Sequence, residues 1–290
     1  MKRMEVISST PNATTNQERS HGDGIAVTSE SPEAFEEMLW MAFFADQHAP
    51  SVSAVLDRTA HNPAFERCYR NHIRKLLAVR GGHRYVAKGN YNLTRIGYLA
   101  KLFPDARFVI PVRDPVWHVA SLMKQHRLFL DGQRDNPRAQ RHLRRVGHFE
   151  FGQDRQPINV GDSAATADIL ELWRSGEEVR GWARYWSLVH NYVAGLIETD
   201  AALRRAIHVL RYEELCATPR PIMTSLLNHC DLNDSSGFLS DAAARFHQPT
   251  YYRPDFKDSE MAIIADETAA AARLFGYNSG AATALRQSAQ

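Results

Sequence analysis

The 290-residue sequence has few cysteines, no long apolar run and no large excess of either charge. Its three cysteines, Cys68, Cys216 and Cys230, are widely separated, which argues against a disulfide framework and favours a reducing compartment. No apolar run approaches the roughly 20 residues of a membrane-spanning helix, and residues 1–31 contain no apolar stretch of a secretory signal. The expected location is therefore the cytoplasm, without a membrane span.

The charges are almost balanced, since 35 Lys and Arg residues accompany 33 Asp and Glu residues and leave a net charge of +2. A field this weak argues against nucleic acid as a partner. No cluster of residues has the spacing of metal ligands, so we expect no metal. Any anion-binding site must therefore depend on a few basic residues close together and not on the net charge of the chain.

Composition predicts where order begins along the chain. Residues 1–30 are polar and nearly free of large apolar side chains, which is typical of a flexible tail. Ser31, Pro32 and Glu33 suit the start of a helix. The apolar face predicted for this helix comprises Phe35, Met38, Leu39, Ala42 and Phe43. We therefore predict a tail over 1–30, one α/β domain over 31–280 and a second tail over 281–290.

Helix-like and strand-like patterns alternate in the middle of the chain. We predict helices over 63–80, over 92–103 and from Pro115, strands over 85–88, 107–112 and 207–212, and a long helix with an aromatic stripe before the last strand. Strand, helix, strand and helix in this order predict a parallel sheet with helices on both faces. The apolar run 107–112 suggests a strand buried on both faces. Residues 127–170 are predicted to be irregular and basic.

Arg113 directly follows the apolar strand, at the end where open α/β sheets bind ligands. Its guanidinium can hold two phosphate oxygens at once. Ser121 lies eight residues further on, on the second turn of the next helix, where its hydroxyl can reach the same phosphate. From these residues alone, a simple ion pair between Arg113 and Asp114 is an equal alternative.

Three segments resemble the sulfotransferase family in their order and spacing. Residues 103–115, followed by Ser121, resemble the family's 3′-phosphate-binding motif. The run Lys88-Gly89-Asn90 resembles its earlier lysine-bearing strand, and residues 211–215 with Pro219 resemble its later Tyr-Glu-Asp-Leu strand and helix. The likeness extends over residues 31–277.

This resemblance implies a fold like that of P-loop nucleotide hydrolases, with a parallel sheet flanked by helices. It also implies transfer of a sulfuryl group from 3′-phosphoadenosine-5′-phosphosulfate to a hydroxyl or amine of a small-molecule, glycan or lipid acceptor. By the same resemblance, Arg113 and Ser121 bind the 3′-phosphate, Tyr212 contacts the adenine and Lys88 lies near the bridging oxygen. Arg253 lies where a late basic loop returns to the 3′-phosphate. Solvated side chains are the alternative for Lys88 and Arg253.

The sequence departs from the family pattern at two places. Asn90 stands where the cytosolic members have a catalytic histidine, so the general base must come from elsewhere. Candidates for that base include Glu33, Glu36, His48 and His126. The Ser-Gly-Thr loop that would bind the 5′-phosphosulfate is not found. This predicts a chain that lacks the first strand, loop and helix and transfers sulfuryl groups poorly or not at all.

Two other functions compete with this interpretation. A truncated, non-catalytic protein that binds a 3′-phosphonucleotide or a partner is the alternative that we keep open. A small-molecule kinase is disfavoured, because the sequence contains no Gly-x-x-x-x-Gly-Lys-Ser/Thr motif.

Overall fold

The structure, a computed structural model, describes residues 17–18, 26–27, 36–134, 136–234, 237–248 and 253–277. The chain divides into two compact units. The first unit comprises Met1–Pro104 and Gln125–Ala167, and the second comprises Asp105–Lys124 and Asp168–Gln290. The helix start predicted at residues 31–33 and the tail predicted at 281–290 lie outside the described residues. Within 1–30, strands β1 (Gln17–Glu18) and β2 (Ala26–Val27) form an antiparallel pair.

The first two described helices of the first unit are α1 (Glu36–Phe43) and α2 (Pro63–Arg80). The side chain of Asn62 accepts the Phe65 N–H at 3.0 Å, and Gly81 ends α2 in the left-handed conformation at φ 61°. Both features suit their helix ends, because the Asn62 oxygen satisfies a free N–H and Gly81 has no Cβ to clash. The predicted helix 63–80 is therefore confirmed.

A short 3₁₀ helix (Asn90–Arg95) leads directly into helix α3 (Ile96–Leu102). The helix predicted over 92–103 is thus present, with a 3₁₀ first turn. The strand predicted over 85–88 is wrong, because these residues are irregular and Lys88 is exposed. A strand needs a ladder partner, and none of the described strands pairs with this short, glycine-flanked segment.

Trp40 lies at the centre of the first unit's aromatic core and is 1% exposed. Its ring centroid lies 4.2 Å from that of Phe65 and 5.5 Å from that of Tyr69, both on α2. The sequence predicted a packing face through Met38 and Ala42, but both are exposed. Helix α1 instead buries the side that carries Trp40, because the rings of α2 lie there.

A buried ion pair ties α1 to the 3₁₀ helix. Arg95, which is 1% exposed, donates to both carboxylate oxygens of Glu37 at 2.7 and 2.6 Å and to Gln47 at 3.2 Å. Its guanidinium also lies 4.3 Å from the centre of the Trp40 ring, and His48 Nε2 lies 2.8 Å from Glu37. Burial acts to raise the pKa of Glu37, but the contacts with Arg95 and His48 outweigh it and lower that pKa. Glu37 is therefore a stable carboxylate.

Residues 127–170 are largely helical, which corrects the prediction of an irregular segment. They contain the end of α4 (Pro115–Arg134), all of α5 (Pro137–Arg145) and the start of α6 (Ser163–Arg174). Asn136 caps α5 by accepting the N–H groups of Arg138 and Ala139 at 3.2 Å each. The arginines of this stretch are good helix formers, so a basic composition was a poor sign of irregularity.

The second unit contains a two-stranded parallel sheet. Strand β3 (Phe108–Val112) pairs with β4 (Ile207–Arg211), and the register places Val112 opposite Arg211. This confirms a helix-rich α/β fold with a small parallel sheet. The prediction that 107–112 is buried on both faces is wrong, because Val109 and Pro111 are exposed while Val112 is buried. Alternate residues share a face, so one face of the described strand remains accessible.

Further helices of the second unit precede and follow β4 in the sequence. Helices α7 (Glu178–Thr199) and α8 (Ala201–Ala206) precede β4. Those that follow are α9 (Tyr212–Ala217), α10 (Pro219–His229), α11 (Phe238–Arg245) and α12 (Asp258–Leu274). The aromatic stripe of α7 is core, as predicted, since Trp182 and Trp186 are 1% and 2% exposed. None of the described helices is both long enough and apolar enough to cross a bilayer.

We expect Glu37→Gln to lower the free energy of unfolding by about 3 kcal/mol, because it leaves the Arg95 charge buried without its counter-ion. The matched change Asp131→Asn affects an exposed pair with Arg134 and should cost less than about 1 kcal/mol. Urea denaturation of both variants measures the difference. Equal losses would contradict the importance of the buried pair.

Candidate functional site

The parallel register brings two of the predicted site residues together. Arg113 is the first residue after β3, and Tyr212 is the first residue after the paired strand β4. The Arg113 guanidinium lies 4.8 Å from the centre of the Tyr212 ring and 5.3 Å from that of Trp117. Its Nε and Nη2 atoms are buried. A permanent cation is therefore held against two aromatic rings at the carboxyl end of the sheet.

Asp114 turns the chain from β3 into α4. Its Oδ1 accepts the N–H groups of Val116 at 2.9 Å and Trp117 at 3.2 Å, so the carboxylate caps the helix. Burial raises the pKa of Asp114, and the neighbouring charge of Glu213 raises it further. The capping role explains why an acidic residue follows Arg113, whichever ligand the arginine binds.

Glu213 connects the ends of both strands to the residue Tyr277. Its Oε1 accepts the Asp114 N–H at 3.0 Å, and its Oε2 accepts the Tyr277 hydroxyl at 2.5 Å. The Tyr277 hydroxyl also lies 3.2 Å from the carbonyl oxygen of Val112. Burial and Glu213 raise the pKa of Tyr277, which stays neutral. These contacts hold in place the strand ends that carry Arg113 and Tyr212.

The other predicted residues have different surroundings. Ser121 is half-buried on the second turn of α4, as the sequence predicts. Arg253 is exposed in an irregular segment before α12. Lys88 is exposed in the irregular segment of the first unit. The structure thus joins Arg113 with Tyr212, while the roles of Lys88, Ser121 and Arg253 stay predictions.

Sequence reasoning missed a histidine on the helix that follows Arg113. His118 lies three residues before Ser121, on the same side of α4. Its Nδ1 accepts the Trp186 indole N–H at 3.0 Å, and the Trp186 ring stacks on His190 at 3.7 Å. Burial, His190 and the charge of Arg113 together lower the pKa of His118 to about 3. His118 is therefore a neutral imidazole at physiological pH, and its helical spacing from Ser121 was the available signal.

The predicted general-base candidates are engaged within the first unit, apart from Glu33, which lies outside the described residues. Glu36 accepts the hydroxyls of Tyr69, at 3.2 Å, and of Tyr85, and burial raises its pKa. His126 is buried and accepts the Gly152 N–H at 3.2 Å.

His48 is engaged as well, since its Nε2 lies 2.8 Å from Glu37 and its ring packs against Tyr91 and Phe149 at 4.4 and 4.9 Å. A carboxylate that the sequence did not indicate is closer to the lysine segment. Asn90, two residues after Lys88, donates to Glu150 Oε1 at 3.0 Å. No local signal marks this contact, because the two residues are far apart in sequence.

We expect the pH dependence of the free energy of unfolding to reflect the lowered pKa of His118. Between pH 6.5 and about 3 the unfolded state binds a proton that the folded imidazole does not, so the free energy of unfolding falls as pH falls. His118→Gln, which keeps an acceptor for Trp186, should reduce the loss between pH 7 and pH 5 by about 2 kcal/mol. Urea titrations at both pH values test this. The control His83→Gln alters an exposed histidine and should leave the slope unchanged, and matching slopes for both variants would contradict the assignment.

Comparison with known proteins supports the resemblance seen in the sequence. The family model of the sulfotransferase family matches residues 8–154, about half of the chain. The match contains Lys88, Arg113 and Ser121, whereas Tyr212 and Arg253 lie beyond it. No curated protein and no solved structure matches the chain significantly. The length of the family match shows that the chain belongs to the sulfotransferase family.

Proposed function

We propose that the chain binds 3′-phosphoadenosine-5′-phosphosulfate through Arg113 and transfers its sulfuryl group to a hydroxyl or amine of a small-molecule, glycan or lipid acceptor. Membership of the family supports sulfuryl transfer in general. The contact between Arg113 and Tyr212 at the strand ends is the observation that carries the choice of donor. The pair combines a cation that can bind a phosphate with an aromatic ring on which a nucleobase can stack.

The Arg113 site has the chemistry that a 3′-phosphate requires. The Arg113 guanidinium carries a permanent positive charge, and its N–H groups are donors of the kind that phosphate oxygens favour. The N-terminus of the 20-residue helix α4 follows directly, and the Asp114 carboxylate already accepts two of its N–H groups, so the helix dipole contributes only a general positive potential to the phosphate site. Ser121 adds a hydroxyl donor on the same helix. These residues fit a doubly charged phosphate better than a neutral group.

Tyr212 and Trp117 suit the nucleoside part of the donor. Both side chains are half-buried, and both rings lie against the Arg113 guanidinium. Adenine stacks on aromatic side chains, and a stacked base typically contributes about 1–3 kcal/mol. We therefore place adenine on Tyr212 and the ribose 3′-phosphate on Arg113.

Lys88 is proposed as a catalytic residue because of its likeness to the lysine of the family. Sulfuryl transfer, like phosphoryl transfer, depends mainly on positioning and on stabilising charge that develops on oxygen. An exposed ammonium can approach the bridging oxygen and stabilise its charge as the bond to sulfur breaks. Arg253 is proposed as a second cation for the 3′-phosphate.

We expect adenosine 3′,5′-bisphosphate to bind more tightly than adenosine 5′-monophosphate, since only the first offers a 3′-phosphate to Arg113. Arg113→Ala should weaken bisphosphate binding by roughly ten- to a hundredfold, and Ser121→Ala by about fivefold, because a charged hydrogen bond contributes more than a neutral one. Isothermal titration calorimetry measures both ligands.

The matched control for this experiment is Arg107→Ala, which removes an arginine from the opposite end of β3, where it pairs with Asp231 at 3.3 Å. Bisphosphate affinity should survive this change. Equal affinity for the two nucleotides, or an Arg113→Ala variant that folds and binds normally, would show that the phosphate site is misassigned.

We expect the chain to transfer label from radioactive phosphosulfate donor to members of an acceptor panel at a slow rate. Lys88→Ala should lower kcat by roughly a hundredfold without weakening bisphosphate binding, because charge stabilisation at the leaving oxygen is lost. The control Lys75→Ala removes another exposed lysine from the same unit and should leave kcat intact. Bisphosphate binding without any transfer would instead favour the non-catalytic nucleotide-binding protein.

A further inference from the structure

Helix α5 of the first unit presents three arginines to solvent. Arg138, Arg141 and Arg145 are all exposed, and their spacing of three and four residues places them on one face of the helix. At about 1.5 Å per residue, the outer two are about 10 Å apart along the helix axis. Helix α5 contains no acidic residue. We call these three residues the arginine face, and the donor site does not use it.

The packing of α5 fixes the direction of this face. Ala139 and Leu143, on the other side of the helix, are only 1% and 8% exposed. Asn136 holds the first turn by accepting the N–H groups of Arg138 and Ala139. The helix is therefore anchored by its apolar side, and the arginine face is directed to solvent.

The carboxylates that precede and follow α5 in the sequence are paired with other arginines. Asp154 accepts Arg144 at 2.6 and 2.5 Å and Gln140 at 3.1 Å, and these contacts, that with Arg144 above all, lower its pKa. Asp131 pairs with Arg134 at 2.6 Å. Both carboxylate charges are thus balanced by arginines outside the arginine face.

Three guanidinium groups along about 10 Å of helix suit a ligand with repeated anionic groups. Each guanidinium is permanently charged, and its planar donors match the oxygens of oxyanions such as carboxylates. A small anion with one charged group does not reach all three arginines, whereas a polymer engages them together. The net charge of the whole chain is only +2, so the attraction is local.

The residues of α5 also distinguish among classes of polyanion. A helix that lies on a membrane inserts its apolar face, but Ala139 and Leu143 are buried within the protein. Single-stranded nucleic acids stack on aromatic rings, and the cores of protein interfaces are rich in aromatic residues and methionine. Helix α5 contains no Phe, Tyr, Trp or Met. A ligand that is polar throughout fits the arginine face best.

We propose that the arginine face binds an anionic glycan, a chain of sugars that carries sulfate or carboxylate groups. The charged groups of the glycan accept hydrogen bonds from Arg138, Arg141 and Arg145, and its uncharged parts remain hydrated. This surface goes beyond the proposed function, because binding there needs neither the donor nor sulfuryl transfer.

The first test compares dextran sulfate, polygalacturonate and neutral dextran by biolayer interferometry on the full chain. The two anionic glycans should bind and neutral dextran should not. The triple variant Arg138→Gln, Arg141→Gln and Arg145→Gln should bind dextran sulfate about tenfold more weakly, since three exposed ion pairs are lost. Glutamine is nearly as good a helix former as arginine, so circular dichroism should be unchanged.

The matched control changes Arg67, Arg74 and Arg80 to glutamine. All three are exposed on α2 of the same unit, so the control removes the same charge from a different helix. It should bind dextran sulfate like the wild type. An equal loss of binding in both variants would overturn the proposal, because net charge and not the arginine face would then govern binding. An unchanged affinity of the α5 variant would overturn it as well.

The second test uses the wild-type chain, so it does not depend on the folding of a variant. Phenylglyoxal modifies accessible arginines, and mass spectrometry locates the modified residues. Dextran sulfate should protect Arg138, Arg141 and Arg145, whereas Arg67 should react at the same rate with and without it. Equal modification of the arginine face in both samples would contradict the proposal.

Other polyanions decide whether the ligand is a glycan. Polyglutamate, polyadenylate and phosphatidylserine vesicles are compared with the two anionic glycans at equal concentrations of negative charge. Tighter binding of any of these three than of both glycans would overturn the glycan assignment. The transfer assay tests the proposed function separately. A chain that transfers sulfuryl groups but binds neither anionic glycan would overturn only the present proposal, and a chain that binds them without transfer would overturn only the proposed function.

Discussion

The parallel pairing of β3 with β4 is the interaction on which the proposed nucleotide site depends. The two strands are distant in sequence, and their register places Val112 opposite Arg211. The residues that follow the strands, Arg113 and Tyr212, must therefore lie side by side. A shift of one residue would turn each side chain to the other face of its strand and would separate the cation from its ring.

Glu213 preserves this arrangement by accepting hydrogen bonds from two polar groups beside the strand ends. It accepts the Asp114 N–H and the Tyr277 hydroxyl, and that hydroxyl lies within reach of the Val112 carbonyl. Buried polar groups cost free energy unless they are paired, so such a network favours one geometry over others. The second unit thus holds a permanent cation at strand ends that a hydrogen-bond network keeps in place, which suits the nucleotide site proposed there.

The first unit uses carboxylates in two different ways. Glu37 holds the buried Arg95 and so stabilises the junction of α1 with the 3₁₀ helix. Glu150 instead lies between the exposed amide of Asn90 and the partly accessible ring of His148. The first carboxylate faces a cation that no solvent reaches, which suits a structural role. The second contacts an exposed amide and lies 3.1 Å from a partly exposed ring, so its surroundings are more accessible to solvent.

The sequence by itself determined the features that depend on neighbouring residues. Asn62 and Gly81 mark the ends of α2, and the residues around Arg113 indicate a strand, a turn and a helix with Ser121 on its second turn. These signals are local, since helix caps and helical or strand periodicity act over a few residues. Of the three segments that indicated the family, those around Lys88 and Arg113 lie inside the matched range, and residues 211–215 lie beyond it.

The tertiary structure decided the features that depend on distant partners. The segment 85–88 has β-like residues but no strand to pair with, and α1 buries Trp40 because rings of α2 lie on that side. The bond from Trp186 to His118 and the contact of Asn90 with Glu150 join segments far apart in the chain. Periodicity specifies which way a side chain points from its own backbone. Which group it meets is determined only when the chain folds, because burial and hydrogen bonding depend on what packs against it.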